Sequence, residues 1–129
     1  MTTTINASPT NGLVATGDGS GVLKVQSNGV TTNALAWVNF NGTGTVAIRS
    51  SYNVSSITDN GTGDYTVNFA TALSDANYAA VTSAGSASAT VGFSGPISAA
   101  PTTSAYRFTT TSPVAATDYA YVFVTVHGN

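Results

Sequence analysis

Tyr65, Val67 and Phe69 alternate with Thr66 and Asn68 in the stretch SYNVSSITDNGTGDYTVNF at 51–69, and a second β-type run precedes them across the turn Asp59-Asn60-Gly61-Thr62-Gly63. A period of two sends successive side chains to opposite faces of a strand, so one face of this hairpin is dry and the other wet. A glycine-rich turn of that length joins antiparallel neighbours. The remainder of the chain repeats the pattern at short intervals. LVAT (13–16), VLKVQ (22–26), ALAWVNF (34–40), TVAIR (45–49), NYAAVTSA (77–84), ATVGF (89–93), YRFTTT (106–111) and DYAYVFVTV (118–126) read as strands, separated by GDGSG, SNG, NGTG and Pro-containing connectors. About nine or ten short strands of this kind predict an all-β fold, an antiparallel sandwich or barrel. No window has sustained helical periodicity, and TALSDANYAA (71–80) has room for one short turn. The glycine-rich segments recur as turn chemistry and keep no fixed period, so a solenoid is not expected.

The 129 residues fit one domain. Residues 1–12 read as an extended N-terminal arm closed by Pro9 and the Asn11-Gly12 turn, and residues 13–129 as a single β domain. The hydrophobic fraction of 42% includes 19 alanines, which leaves 35 large apolar side chains for the core. Such a core is thin. Leu35, Trp37 and Asn39 share one face of their strand, and Trp37 is expected in the core, since a strand tryptophan is more often packed than offered to a ligand. The last run sets Tyr119, Tyr121 and Phe123 against Ala120, Val122, Val124 and Val126. Being apolar on both faces, it belongs inside a sandwich or against a neighbouring subunit.

Only 6% of the residues are charged, against roughly 25% in an ordinary soluble domain. The ionisable set is Asp18, Asp59, Asp64, Asp75, Asp118, Lys24, Arg49, Arg107 and His127; glutamate is absent. The polar surface must come from 22 Thr, 15 Ser, 11 Asn and 13 Gly. Sheet proteins protect open strand edges with lysines and other charges, because bare edges pair with one another. Three cations protect few edges, so the edges are expected to be covered by other subunits or by a larger assembly. A net charge of −2 gives a free monomer little colloidal protection.

The same scarcity bears on chemistry. Lys24, Arg49 and Arg107 are too few to follow a phosphate track, so no nucleic-acid partner is expected. With no cysteine and one histidine, neither a disulfide framework nor a zinc or iron site is expected. His127 is the only base available to a Ser-His-Asp triad, and GFSGP at 92–96 lacks the Gly-x-Ser-x-Gly spacing of a nucleophile elbow. Asp59 and Asp64 flank one turn as a carboxylate pair. Turn aspartates ordinarily hydrogen-bond their own backbone, so a glycosidase pair is the weaker reading. With Asn60 and carbonyls they also suggest an oxygen-ligand calcium site, but the spacing lacks the Asp-x-Asp-x-Asp-Gly loop and its closing Glu. The chain is therefore expected to be no enzyme, without catalytic residues, metal or cofactor. The opening MTTTINASPTNG has neither the basic region nor the apolar run of a secretory signal, and no stretch approaches the roughly 20 apolar residues of a membrane helix. The Asn-x-Ser/Thr triplets at Asn6, Asn41, Asn53 and Asn60 are accordingly not expected to carry glycans.

The span GDGSGVLKVQSNG through ALAWVNFNGTGTVAIRSSYNVSSITDNGTGDYTVNFATALSDANYA resembles a β module of virion surface proteins of tailed bacteriophages, often labelled tail fibre or tail-fibre-like. The phrases AWVNFNGTG and SYNVSSITDNGTGDYTVNF carry the likeness, which is good over about residues 17–80 and loose elsewhere. The resemblance implies a non-enzymatic virion structural protein, made in the host bacterial cytoplasm and packed as a homotrimer. Its partners would be the major capsid protein or other virion proteins. A chain that starts almost directly on the module suits a capsid decoration or cement protein, or a short head fibre. The alternative is a tail-fibre module that recognises host surface glycan through its Tyr, Asn and Thr side chains.

Overall fold

A computed structural model describes residues 25–27, 30–31, 33–87, 91–94 and 99–128. The arm at 1–12 and the strand expected at 13–16 lie outside the described residues. Within them the protein is all-β, with ten strands and no helix. A small hairpin pairs β1 (Gln26–Ser27) with β2 (Val30–Thr31). The principal strands are β3 (Ala36–Asn41), β4 (Ala47–Tyr52), β5 (Val54–Gly61), β6 (Asp64–Phe69), β7 (Ala79–Gly85), β8 (Val91–Ser94), β9 (Ala105–Thr111) and β10 (Tyr121–His127). Their order is β4-β3-β10-β7-β8-β9-β6-β5, every pair antiparallel. Strands β4-β3-β10-β7 make one sheet and β9-β6-β5 the other, while the short β8 pairs with β7 and β9 over two residues each. Among the described residues β4 and β5 are the outermost strands and no ladder joins them, so the array is not closed into a barrel.

The two sheets meet on their inner faces. Phe40 of β3 and Tyr65 of β6 share no ladder, yet their rings stand edge to face with centroids 5.1 Å apart. The hydrophobic alternation explains why. Ala36, Val38 and Phe40 on β3 and Val122, Val124 and Val126 on β10 point inward, against Tyr65, Val67 and Phe69 on β6 and Tyr106 and Phe108 on β9. Tyr106 stacks on Phe108 at 5.5 Å, and Tyr78 bridges Phe69 and Tyr106 edge to face. Burial pushes the Tyr78 phenol up to about 12, and its hydroxyl donates to Ala105 O at 3.0 Å.

Three sequence expectations change. The run 51–58 is not one strand: it breaks at Asn53, whose φ of 53° lies in the left-handed region that asparagine tolerates better than most residues. Asn53 Nδ2 donates to Leu35 O and Thr71 O, and its Oδ1 accepts from Thr71 N–H, so this side chain holds the corner where the chain leaves one sheet for the other. The stretch 71–80, which has room for one short turn of helix, forms none; Asp75 Oδ1 accepts from Asn77 N–H in an Asx-type turn, and the chain passes directly into β7. Trp37 is not in the core. The register that sends Ala36, Val38 and Phe40 inward sends Trp37 out, where it is 37% exposed.

Replacing Phe40, which is fully buried, by Ala should cost about 3–5 kcal/mol of unfolding free energy in urea, whereas Val114→Ala, on a side chain 92% exposed, should stay within about 0.5 kcal/mol. Similar losses at the two positions would refute the packing described.

Candidate functional site

The residues first suspected of chemistry are engaged in structure. Asp59 Oδ1 accepts from Gly61 N–H at 3.0 Å, within its own turn. Asp64 faces the other way, in a two-point pair with Arg107: Nε to Oδ1 at 2.9 Å and Nη2 to Oδ2 at 2.7 Å. The hydrogen bond from Arg107 holds the Asp64 carboxyl below the usual range, and the same contact raises Arg107. His127 is the exposed last residue of β10, opposite Ala79. Gly92 to Ser94 of the GFSGP segment lie in β8, and its last two residues lie outside the described ones. Among the described residues no three His, Cys, Asp or Glu side chains converge as a metal group would require.

One polar cluster is half-buried, and its spacing of more than fifty residues gave no signal in the sequence. Asp118 Oδ1 lies 2.6 Å from the Tyr65 hydroxyl and 2.6 Å from Gly63 N, while the same hydroxyl is 2.9 Å from Gly42 O. The hydroxyl has one proton, and the shorter, charge-assisted bond to the carboxylate claims it. Burial is the main reason the Tyr65 phenol is pushed well above its ordinary range, with the Asp118 hydrogen bond second. Gly63 turns with φ of 67°, and a Cβ there would run into the backbone of Thr110 and Thr117. The cluster ties three segments together.

The outer faces of the two sheets are the remaining surfaces, and they differ in kind. On the β9-β6-β5 sheet, Asn68 Nδ2 donates to Ser56 and Thr58 hydroxyls, Asn60 Nδ2 donates to Thr66, and Arg107 pairs with Asp64. This face is occupied with its own hydrogen bonds. On the β4-β3-β10-β7 sheet the outward positions are Tyr52, Trp37, Val81, Tyr121 and Phe123, between 36% and 63% exposed. Register assembles them: Tyr52 lies opposite Trp37, Trp37 opposite Thr125, Thr125 opposite Val81, and Phe123 between Asn39 and Ser83. The final run is thus apolar on both faces because one face lines the core and the other joins this patch. Arg49 caps one end, its guanidinium carbon 4.7 Å from the Tyr121 ring centre, with Nη2 donating to Ala120 O at 2.6 Å and Nη1 to Asn39 Oδ1 at 3.3 Å.

Comparison of the chain with protein-family models, with curated proteins and with solved structures found no match in any of the three.

Because the Asp64 carboxyl is lowered in the folded state, the stability it contributes is present above the ordinary aspartate range and is lost as pH falls through the lowered value. Solvent exposure keeps that contribution small. The thermal midpoint of Asp64→Asn should therefore fall less steeply than that of the parent between about pH 5 and about pH 2. Parallel curves would show that the pair adds nothing to folding.

Proposed function

We propose that this protein is a non-enzymatic structural module of a tailed-bacteriophage virion surface, a capsid decoration or cement protein or short head fibre that works as a homotrimer. The observation that carries the reading is the state of the outermost strands. β4 and β5 run 6 and 8 residues, each has one side without a ladder partner among the described residues, and the ionisable residues between them are Arg49 and Asp59. Their ladders shift register at Arg49 on β4 and at Ser55 and Asn60 on β5, but nearly uncharged edges of this length still recruit further strands. Like copies and neighbouring capsid subunits are the partners that cover them, with residues 1–12 as a docking arm. The virion setting rests on the likeness of AWVNFNGTG and SYNVSSITDNGTGDYTVNF to tail-fibre-type modules. Contacts of this kind are mainly apolar and backbone-paired, so assembly depends weakly on salt. A second reading, a tail-fibre module that binds host glycan, draws on the exposed aromatic face opposite the core.

Placing lysine on both edges, as Ala47→Lys with Ser55→Lys, should shift the sedimentation of the purified protein from trimer to monomer without altering its far-ultraviolet circular dichroism. A parent that already sediments as a monomer at all concentrations would overturn the reading.

A further inference from the structure

The aromatic side chains of the β4-β3-β10-β7 face form a line. Tyr121 and Phe123 are two residues apart on β10, roughly 7 Å along the strand. Trp37 is the diagonal neighbour of Phe123 on β3, about 7–8 Å away, and Tyr52 is directly opposite Trp37 on β4, about 5 Å further. The stripe thus crosses three strands over somewhat less than 20 Å. Asn39 and Ser50, paired across β3 and β4, and Ser83 and Thr125 lie between and beside the rings. Rings alternating with short hydrogen-bonding side chains match a sugar polymer, whose residues present apolar C–H faces and hydroxyl edges in turn.

Area and charge decide between occupants. Four strands of six or seven residues span roughly 19 Å by 22 Å, about 420 Å² of sheet, where a stable protein partner covers about 800 Å² on each side. A second copy seated on this face alone is undersized; an extended chain is not. At the Tyr121 end, Arg49 is held in place by Asn39, Ala120 and the Tyr121 ring, and among the described residues the salt bridge is that of Arg107 with Asp64, so Arg49 pairs with no carboxylate. Arginine stacked on an aromatic ring still presents donors suited to a planar carboxylate.

We infer that this face binds a linear polysaccharide bearing carboxylates, its sugar rings stacked on Tyr121, Phe123, Trp37 and Tyr52 and one carboxylate on Arg49. The inference rests on the glycan-binding reading and names its ligand class; it is independent of how the β4 and β5 edges are covered.

Trp37 is the single tryptophan of the chain, so its emission reports occupancy of the face. The probes are oligosaccharides of polygalacturonate, alginate and hyaluronan, and the fully methyl-esterified polygalacturonate oligomer. A saturable change in emission is expected with at least one acidic probe, weakened at least tenfold by esterification, by Arg49→Gln and by roughly 0.5 M salt. Phe123→Ala should abolish it. Both substitutions are on outward side chains, and circular dichroism confirms folding. Equal binding of the ester, or no effect of Arg49→Gln, would overturn the acidic ligand class while leaving a neutral glycan site. No change with any probe would overturn the glycan reading as well. Emission that instead varies with protein concentration, together with a mass that drops in Phe123→Ala, would assign the face to a second copy and also overturn the inference.

Discussion

Tyr65 is where the two sheets of this protein are tied. Its ring is fully buried between Phe40 and Phe108, and its hydroxyl reaches Asp118 and the Gly42 carbonyl. A phenol buried that deeply must find a partner, or the desolvation of its oxygen would offset part of what the ring contributes. Gly42 and Gly63 make the arrangement possible. A Cβ at Gly42 would come within 2.6 Å of the Tyr65 hydroxyl, and one at Gly63 would collide with the backbone of Thr110 and Thr117. One side chain thus fixes the end of β3, the β5–β6 turn and the approach to β10, and with them the register that decides what faces out.

That register produces an uneven molecule. Inward positions are filled by valines and aromatic rings, with Thr110 accommodated because its hydroxyl donates to Thr117 O at 2.7 Å. Outward positions divide into a self-bonded polar sheet and an aromatic one. The edges form a third kind of surface, peptide groups with almost no ionic side chains beside them. A thin core leaves little margin, since folding is stable by only about 5–15 kcal/mol, and contacts made outside the chain then matter to its persistence. Face and edge are separate surfaces, one suited to a linear ligand and the other to strand pairing.

The strands themselves were legible because their period of two and their glycine turns are local signals. β3, β6, β7, β9 and β10 lie within one to three residues of the runs that announce them. The break at Asn53 was harder, since Tyr52-Asn53-Val54 sits within an unbroken β-type run and only the tolerance of asparagine for positive φ hints at a corner. Trp37 was misplaced for a related reason: alternation says that two faces differ, and the inner one here is the less bulky, with Ala36 and Val38 inward. Asp118 was invisible as a partner of Tyr65, because 53 residues separate them and no pattern links positions across a sandwich. Asp59 and Asp64 show the limit of spacing arguments. They flank one turn, yet one bonds its own backbone and the other an arginine on the neighbouring strand β9.

Under the proposed function, other chains shield the open sides of β4 and β5. Hydrogen exchange of the outward amides of these strands, followed from dilute to concentrated protein, tests this most directly. Shielding by like copies gives fast exchange in dilute solution and protection that grows with concentration, confined to β4 and β5 while β6 and β10 stay protected throughout. Rapid exchange of those edge amides at every concentration, with the rest of the fold intact, would contradict it.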